Sequence, residues 1–112
     1  MADTDRELLE LAAKAAGIEL PNPTLRVTHM RGVAPKLWNP LVDDGDALRL
    51  AVKLDIDLIR ESLDDVPSTP THVKAQSWDL EFSASEALGD DHYAATRRAI
   101  VRAAAEIGRA ML

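Results

Sequence analysis

His72-Val73-Lys74-Ala75-Gln76-Ser77-Trp78-Asp79-Leu80-Glu81-Phe82 is the stretch that decides the fold. Val73, Ala75 and Ser77 alternate with His72, Lys74 and Gln76, and Leu80 and Phe82 alternate with Asp79 and Glu81. Successive side chains on a strand point to opposite faces, so a period of two marks a strand with one face buried. The same alternation opens upstream in Asp55-Ile56-Asp57-Leu58, and an acidic, proline-containing loop from Asp64 to Pro70 separates the two. An antiparallel meander is the expected product. Trp78, Leu80 and Phe82 have one parity, whereas Val73 and Ala75 have the other. A bulge, a hairpin or a sheet covered on both faces would reconcile them.

Helical patterns flank this region. Thr4-Asp5-Arg6-Glu7 matches the capping box, Leu8, Leu11, Ala12 and Ala15 follow at helical spacing, and Gly17 supplies a left-handed stop, which predicts a helix over 5–16. A proline-rich stretch, Leu20-Pro21-Asn22-Pro23, comes next, with a short strand at Leu25-Arg26-Val27-Thr28-His29 ended by Gly32 and Pro35. Asp43 then caps a second helix, with Asp44 and Asp46 in its first turn, where the macrodipole favours them. Ala47, Leu48, Leu50, Ala51, Val52 and Leu54 make that helix apolar nearly all round, so it should be largely buried. Asp90 or Asp91 caps the last helix, whose stripe is Tyr93, Ile100, Ala103, Ala104, Ile107 and Met111, with Arg98, Arg102, Glu106 and Arg109 opposite. The fold class is α+β: a small antiparallel sheet of three to four strands layered with helices, in one domain spanning 1–112.

Two of these stretches carry a resemblance. Trp38-Asn39-Pro40-Leu41 with Asp43-Asp44-Gly45-Asp46-Ala47-Leu48-Arg49-Leu50-Ala51-Val52-Lys53-Leu54 is one, and Asp91-His92-Tyr93-Ala94-Ala95-Thr96-Arg97-Arg98-Ala99-Ile100-Val101-Arg102-Ala103-Ala104-Ala105-Glu106-Ile107-Gly108 is the other. Together they resemble the small phage and prophage proteins of the phage ABA sandwich domain, over about a third of the chain. The resemblance implies helix–sheet–helix layering, a phage or prophage origin and, with it, the cytoplasm of a bacterial host. It brings no catalytic residues.

Composition narrows the chemistry. The 112 residues are 46% apolar and 29% charged, the profile of a globular chain. With no cysteine there is no disulfide framework, thiolate zinc site or cysteine nucleophile. No run of about 18 apolar residues exists to span a membrane. The net charge of −6 is concentrated: residues 55–91 hold ten acids against Arg60 and Lys74, whereas 92–112 hold four arginines and Glu106. Such a balance argues against nucleic acid as partner. It suits either plain solubility or docking on a basic protein surface.

The residues that could carry chemistry have plainer roles beside the functional ones. Asp43, Asp44 and Asp46 read as helix capping. His29, His72 and His92 never pair at metal spacing, so no metal and no cofactor is expected. No serine sits in a nucleophile motif and no phosphate loop occurs. Trp38 and Asn39 staple a loop to the core or anchor a ligand. Trp78 poses the same choice. Arg97, Arg98, Arg102 and Arg109 either grip a phosphate or carboxylate or pair with the acidic segment. The expectation is therefore a non-enzymatic phage accessory protein that inhibits a host protein, such as a defence component, through acids including Asp64, Asp65 and Glu86. A small-ligand binder, for instance a sponge for a nucleotide signal, is the alternative, with Trp38 or Tyr93 stacking and Arg97 or Arg98 on phosphate. An enzyme with carboxylates assembled from separate segments is the third. An edge strand in so small a sheet also invites a homo-oligomer.

Overall fold

In the computed structural model, residues 4–18, 26–27, 36–63 and 69–111 are described. Asp64, Asp65, His29 and the 20–23 proline stretch lie outside them. The element order is α1 (Asp5–Ala16), β1 (Arg26–Val27), β2 (Lys36–Leu37), α2 (Asp44–Lys53), β3 (Ile56–Glu61), β4 (His72–Ser77), β5 (Ser83–Ala87) and α3 (His92–Ala110). The class is α+β: three helices flank a three-stranded antiparallel sheet ordered β3-β4-β5, and β1 and β2 form a separate antiparallel pair.

Helix starts follow their caps. Thr4 Oγ1 accepts from the Glu7 amide at 3.2 Å, Asp43 accepts from the Gly45 amide, and Asp91 Oδ1 accepts from the Ala94 amide at 2.9 Å. Helix α1 ends as expected at Gly17, whose φ of 71° is the left-handed conformation glycine adopts at no steric cost.

Register resolves the parity conflict in residues 72–82. Val73, Ala75 and Ser77 face inward from β4, and the strand ends there. Residues 78–82 form the turn into β5 and are not a strand, which corrects the reading of Leu80 and Phe82 as strand positions. The Ser77 amide donates to Phe82 O at 2.8 Å and the Leu80 amide to Ser77 O at 2.9 Å, closing the turn with Leu80 at φ 64°. The parity switches because Trp78 lies past the last strand residue.

Helix α3 is the centre of the packing. It lies along β4 and β5, carries α1 against its own surface, and has α2 beside it. Its buried residues are Ala95, Ala99, Ile100, Val101, Ala103, Ala104, Ala105 and Gly108, so small side chains let its neighbours approach. At Gly108 a Cβ would lie 2.8 Å from the Leu11 carbonyl carbon and closer still to its oxygen, so only glycine fits this α1–α3 contact. Trp38 is 1% exposed and completes the core near α2.

Candidate functional site

The Trp38-Asn39-Pro40 segment is tied to α2 by a carboxylate. Asp46 is fully buried; its Oδ2 accepts from the Asn39 amide at 2.9 Å and its Oδ1 from Arg49 Nη2 at 2.8 Å. Asn39 Oδ1 accepts from the Leu41 amide at 3.0 Å. Asp46 thus latches the incoming loop and does not merely complement the helix dipole. Trp38 and Asn39 are consumed by this junction. Burial corrects the reading of Trp38 as a contact for a ligand or partner.

The arginines of α3 are also engaged. Arg97 donates from Nη1 to Asp44 Oδ1 at 2.6 Å and from Nε to Leu41 O at 2.8 Å. Arg98 pairs with Asp5 at 3.0 Å and with Glu86 at 3.7 Å, and Arg102 pairs with Glu86 and donates to Ser85 O at 2.9 Å. These three guanidinium groups join α3 to neighbouring segments, whereas Arg109 pairs with Glu106 within α3. Glu86, half-buried between Arg98 and Arg102, is part of that stitching. Among the described residues no group of three or more His, Asp or Glu side chains is placed to hold a metal.

The exposed feature is apolar. Helix α2 was expected to be buried, yet Leu48 and Val52 are 62% and 68% exposed. Its buried side is Ala47, Leu50 and Ala51; nothing among the described residues covers the other. Next to it runs β3, whose inward-parity residue Leu58 is half uncovered because α3 sits over β4 and β5. Two shallow grooves share Leu48 and Leu58. One, about 610 Å³, adds Ala51, Val52, Asp55, Ile56, Asp57 and Trp78. The other, about 460 Å³, has a floor of Ala47, Leu48, Leu58 and Ile100 and a rim of Arg60, His92, Tyr93 and Arg97, with Asp44. The face therefore has an acidic end at Trp78 and, at Tyr93, an end whose positive charge comes from Arg60, since Arg97 there is paired with Asp44; leucines join the two.

Trp78 is 78% exposed, and Leu80 and Tyr93 are nearly as open. Tyr93 belongs to the apolar stripe expected for α3, yet it lies outside the buried part of that stripe. The Trp78 turn is stiff. Ser77 Oγ donates to Asp79 Oδ1 at 2.6 Å, and Asp79 Oδ1 also accepts from the Glu81 amide at 3.1 Å. The Ser77 hydroxyl beside it, then the Glu81 amide, hold the Asp79 carboxyl below its ordinary pKa. Of the residues singled out from the sequence, the structure brings Trp78, Tyr93 and Arg97 to this face. Leu48, Val52, Leu58 and Arg60 were missed. The signal was present in α2, which is apolar on more sides than one short helix can bury.

His92 and Asp44 line the same groove, but no hydrogen bond among the described residues joins them, and Asp44 is held by Arg97. No helix is long and apolar enough to cross a membrane among the residues described. Comparison with protein-family models, curated proteins and solved structures gave no match.

Proposed function

We propose that this protein works by docking on another protein and not by catalysis, and that the α2–β3 face ending in the Trp78 turn is its working surface. The observation that carries this reading is the group of large apolar side chains left in solvent on one face: Leu48, Val52, Leu58, Trp78 and Tyr93. Contiguous exposed apolar surface of this kind marks interaction sites, and tryptophan and tyrosine are favoured anchors in them. Asp55, Asp57, Asp79 and Glu81 around the tryptophan select a partner with an apolar pocket and a basic rim, because opposite potentials speed encounter and penalise wrong partners. The likeness of residues 38–54 and 91–108 to phage ABA sandwich proteins supports a phage or prophage accessory role. On that basis the partner is a bacterial host protein, occupied and thereby inhibited, with a defence component as the specific candidate.

A nucleotide-signal sponge has less support. Of its two candidate stacking residues, Trp38 is in the core and Tyr93 is exposed, but Arg97 and Arg98 already hold carboxylates. The enzyme reading also has less support, since Asp43, Asp44 and Asp46 are occupied in capping, an ion pair and the loop latch.

Quantitative recovery of host proteins on immobilised wild-type chain, Trp78→Ala and Asp79→Lys/Glu81→Lys tests the reading. Partners retained by wild type should be lost from both variants and kept by Lys74→Ala, on the outer face of the sheet. Equal recovery by all four would contradict it.

A further inference from the structure

The face described above carries two features at opposite ends that fit each other. At one end Trp78 projects into solvent with Asp55 and Asp57 beside it. At the other, an open groove of about 460 Å³ has an apolar floor of Ala47, Leu48, Leu58 and Ile100 and a rim of Arg60, His92 and Tyr93, with Arg97 there already paired to Asp44, so that Arg60 gives the rim its positive charge. An apolar pocket with a basic rim is what the Trp78 end calls for, and the chain offers one. Leu48 and Leu58 belong to both grooves and mark the midpoint.

We infer that in the free protein this face is closed by a second copy of the chain, related by a two-fold axis near Leu48 and Leu58. Under such an axis each end of one copy meets the opposite end of the other. Trp78 then enters the partner's groove beside Tyr93, and the acidic end meets the basic end twice. A face bearing one charge throughout would repel its own copy; a dipolar one attracts it. Arg60 has no ion-pair partner among the described residues and supplies the cationic half of the contact. The exposed leucines and Val52 are buried at the centre, where removal of apolar surface from water drives association. Strand β3 is hydrogen-bonded on one side only among the described residues, which leaves its other edge available along the same seam. The inference rests on the reading that this face docks protein, and it names the occupant when no other partner is present.

Sedimentation equilibrium of the purified full chain tests it, with Trp78→Ala, Asp57→Lys, Arg60→Glu and the combined Asp57→Lys/Arg60→Glu. All three positions are outside the core, and circular dichroism checks that each variant is folded. Wild type should sediment as a dimer at about 100 µM and dissociate on dilution or in high salt. Trp78→Ala and each charge reversal should raise the dissociation constant about tenfold or more, as expected for loss of an anchor or reversal of a close ion pair. The combined swap should recover most of the loss. A monomer at every concentration, a dimer indifferent to these variants, or a combined swap no better than its parents would overturn the inference. Host-protein capture that still depends on Trp78 in a monomeric chain would leave the proposed function standing. A dimer with these sensitivities whose host capture ignores Trp78 would remove that function and keep the dimer.

Discussion

Two carboxylates with opposite settings show how single residues shape this molecule. Asp79 is exposed, and its charge is held by the Ser77 hydroxyl and the Glu81 amide, which lowers its pKa. A carboxyl whose folded pKa is depressed stabilises the fold above its ordinary value of about 3.9 and loses that contribution as pH falls through the folded value. The Trp78 turn should therefore loosen only in acid, with the indole NMR resonance of Trp78 moving below about pH 4 while that of buried Trp38 stays put. Asp79→Asn should abolish that step, and a Trp78 resonance that moves identically in both proteins would contradict the assignment. Asp46 is the reverse case: fully buried, with its oxygens taken by the Asn39 amide and Arg49. Asp46→Ala leaves a donor unsatisfied near the core, which costs about 1–3 kcal/mol, read as a lower urea midpoint. The sequence showed Asp43, Asp44 and Asp46 as one capping cluster. Only geometry separates them into a cap, an ion pair to α3 and a loop latch, because spacing along a helix cannot report a partner seven residues upstream.

At the scale of elements, local chemistry decided what was legible. Helix α1 could be read to its limits from Thr4 and Gly17, the start of α2 from Asp43, and that of α3 to within one residue, Asp90 or Asp91, of which Asp91 is the cap, since caps act through neighbours in sequence. Strand β5, Ser83–Ala87, could not: it is short, holds serine, alanine and glutamate, and has little β-propensity of its own. Pairing with β4 creates it, and tertiary contact is not written in a local pattern. Helix α2 was misread for a related reason, because an all-round apolar helix was expected in the core whereas the fold supplies cover for only one side. Leu48→Glu should change stability by no more than about 0.5 kcal/mol, as for an exposed position, and yet abolish docking. A large fall in Tm for that variant would place Leu48 in the core after all. The converse test is Gly108→Ala, where the methyl group would overlap the Leu11 backbone. Overpacking of about 1–3 kcal/mol is expected, a fall in Tm of roughly 4–13 °C for a domain of this size, with the α2–β3 face untouched.

The whole molecule is organised by α3. Its arginines reach Asp5, Asp44 and Glu86 and tie α1, α2 and β5 to one rod, whose alanine-rich surface admits the sheet on one side and a helix on another. These ion pairs are partly exposed, so removing Arg98 should cost no more than about 1 kcal/mol; their value lies in setting which elements meet. Arg97, Arg98 and Arg102, spent in this way, are three of the four arginines the sequence offered as a phosphate grip. What remains free is the apolar, dipolar face between α2 and β3. The acidic middle of the chain was legible only in outline, because charge can be counted in a sequence but its arrangement around Leu58 and Trp78 depends on the turn at 78–82. The most direct test places a photoreactive benzophenone residue at position 78, at 48, or at 85 on the outer face of the sheet, and expresses each protein in a bacterial host. Irradiation should join protein, whether a second copy or a host chain, to positions 78 and 48 and not to 85. No adduct at 78 and 48, or the same adducts from all three positions, would contradict the account.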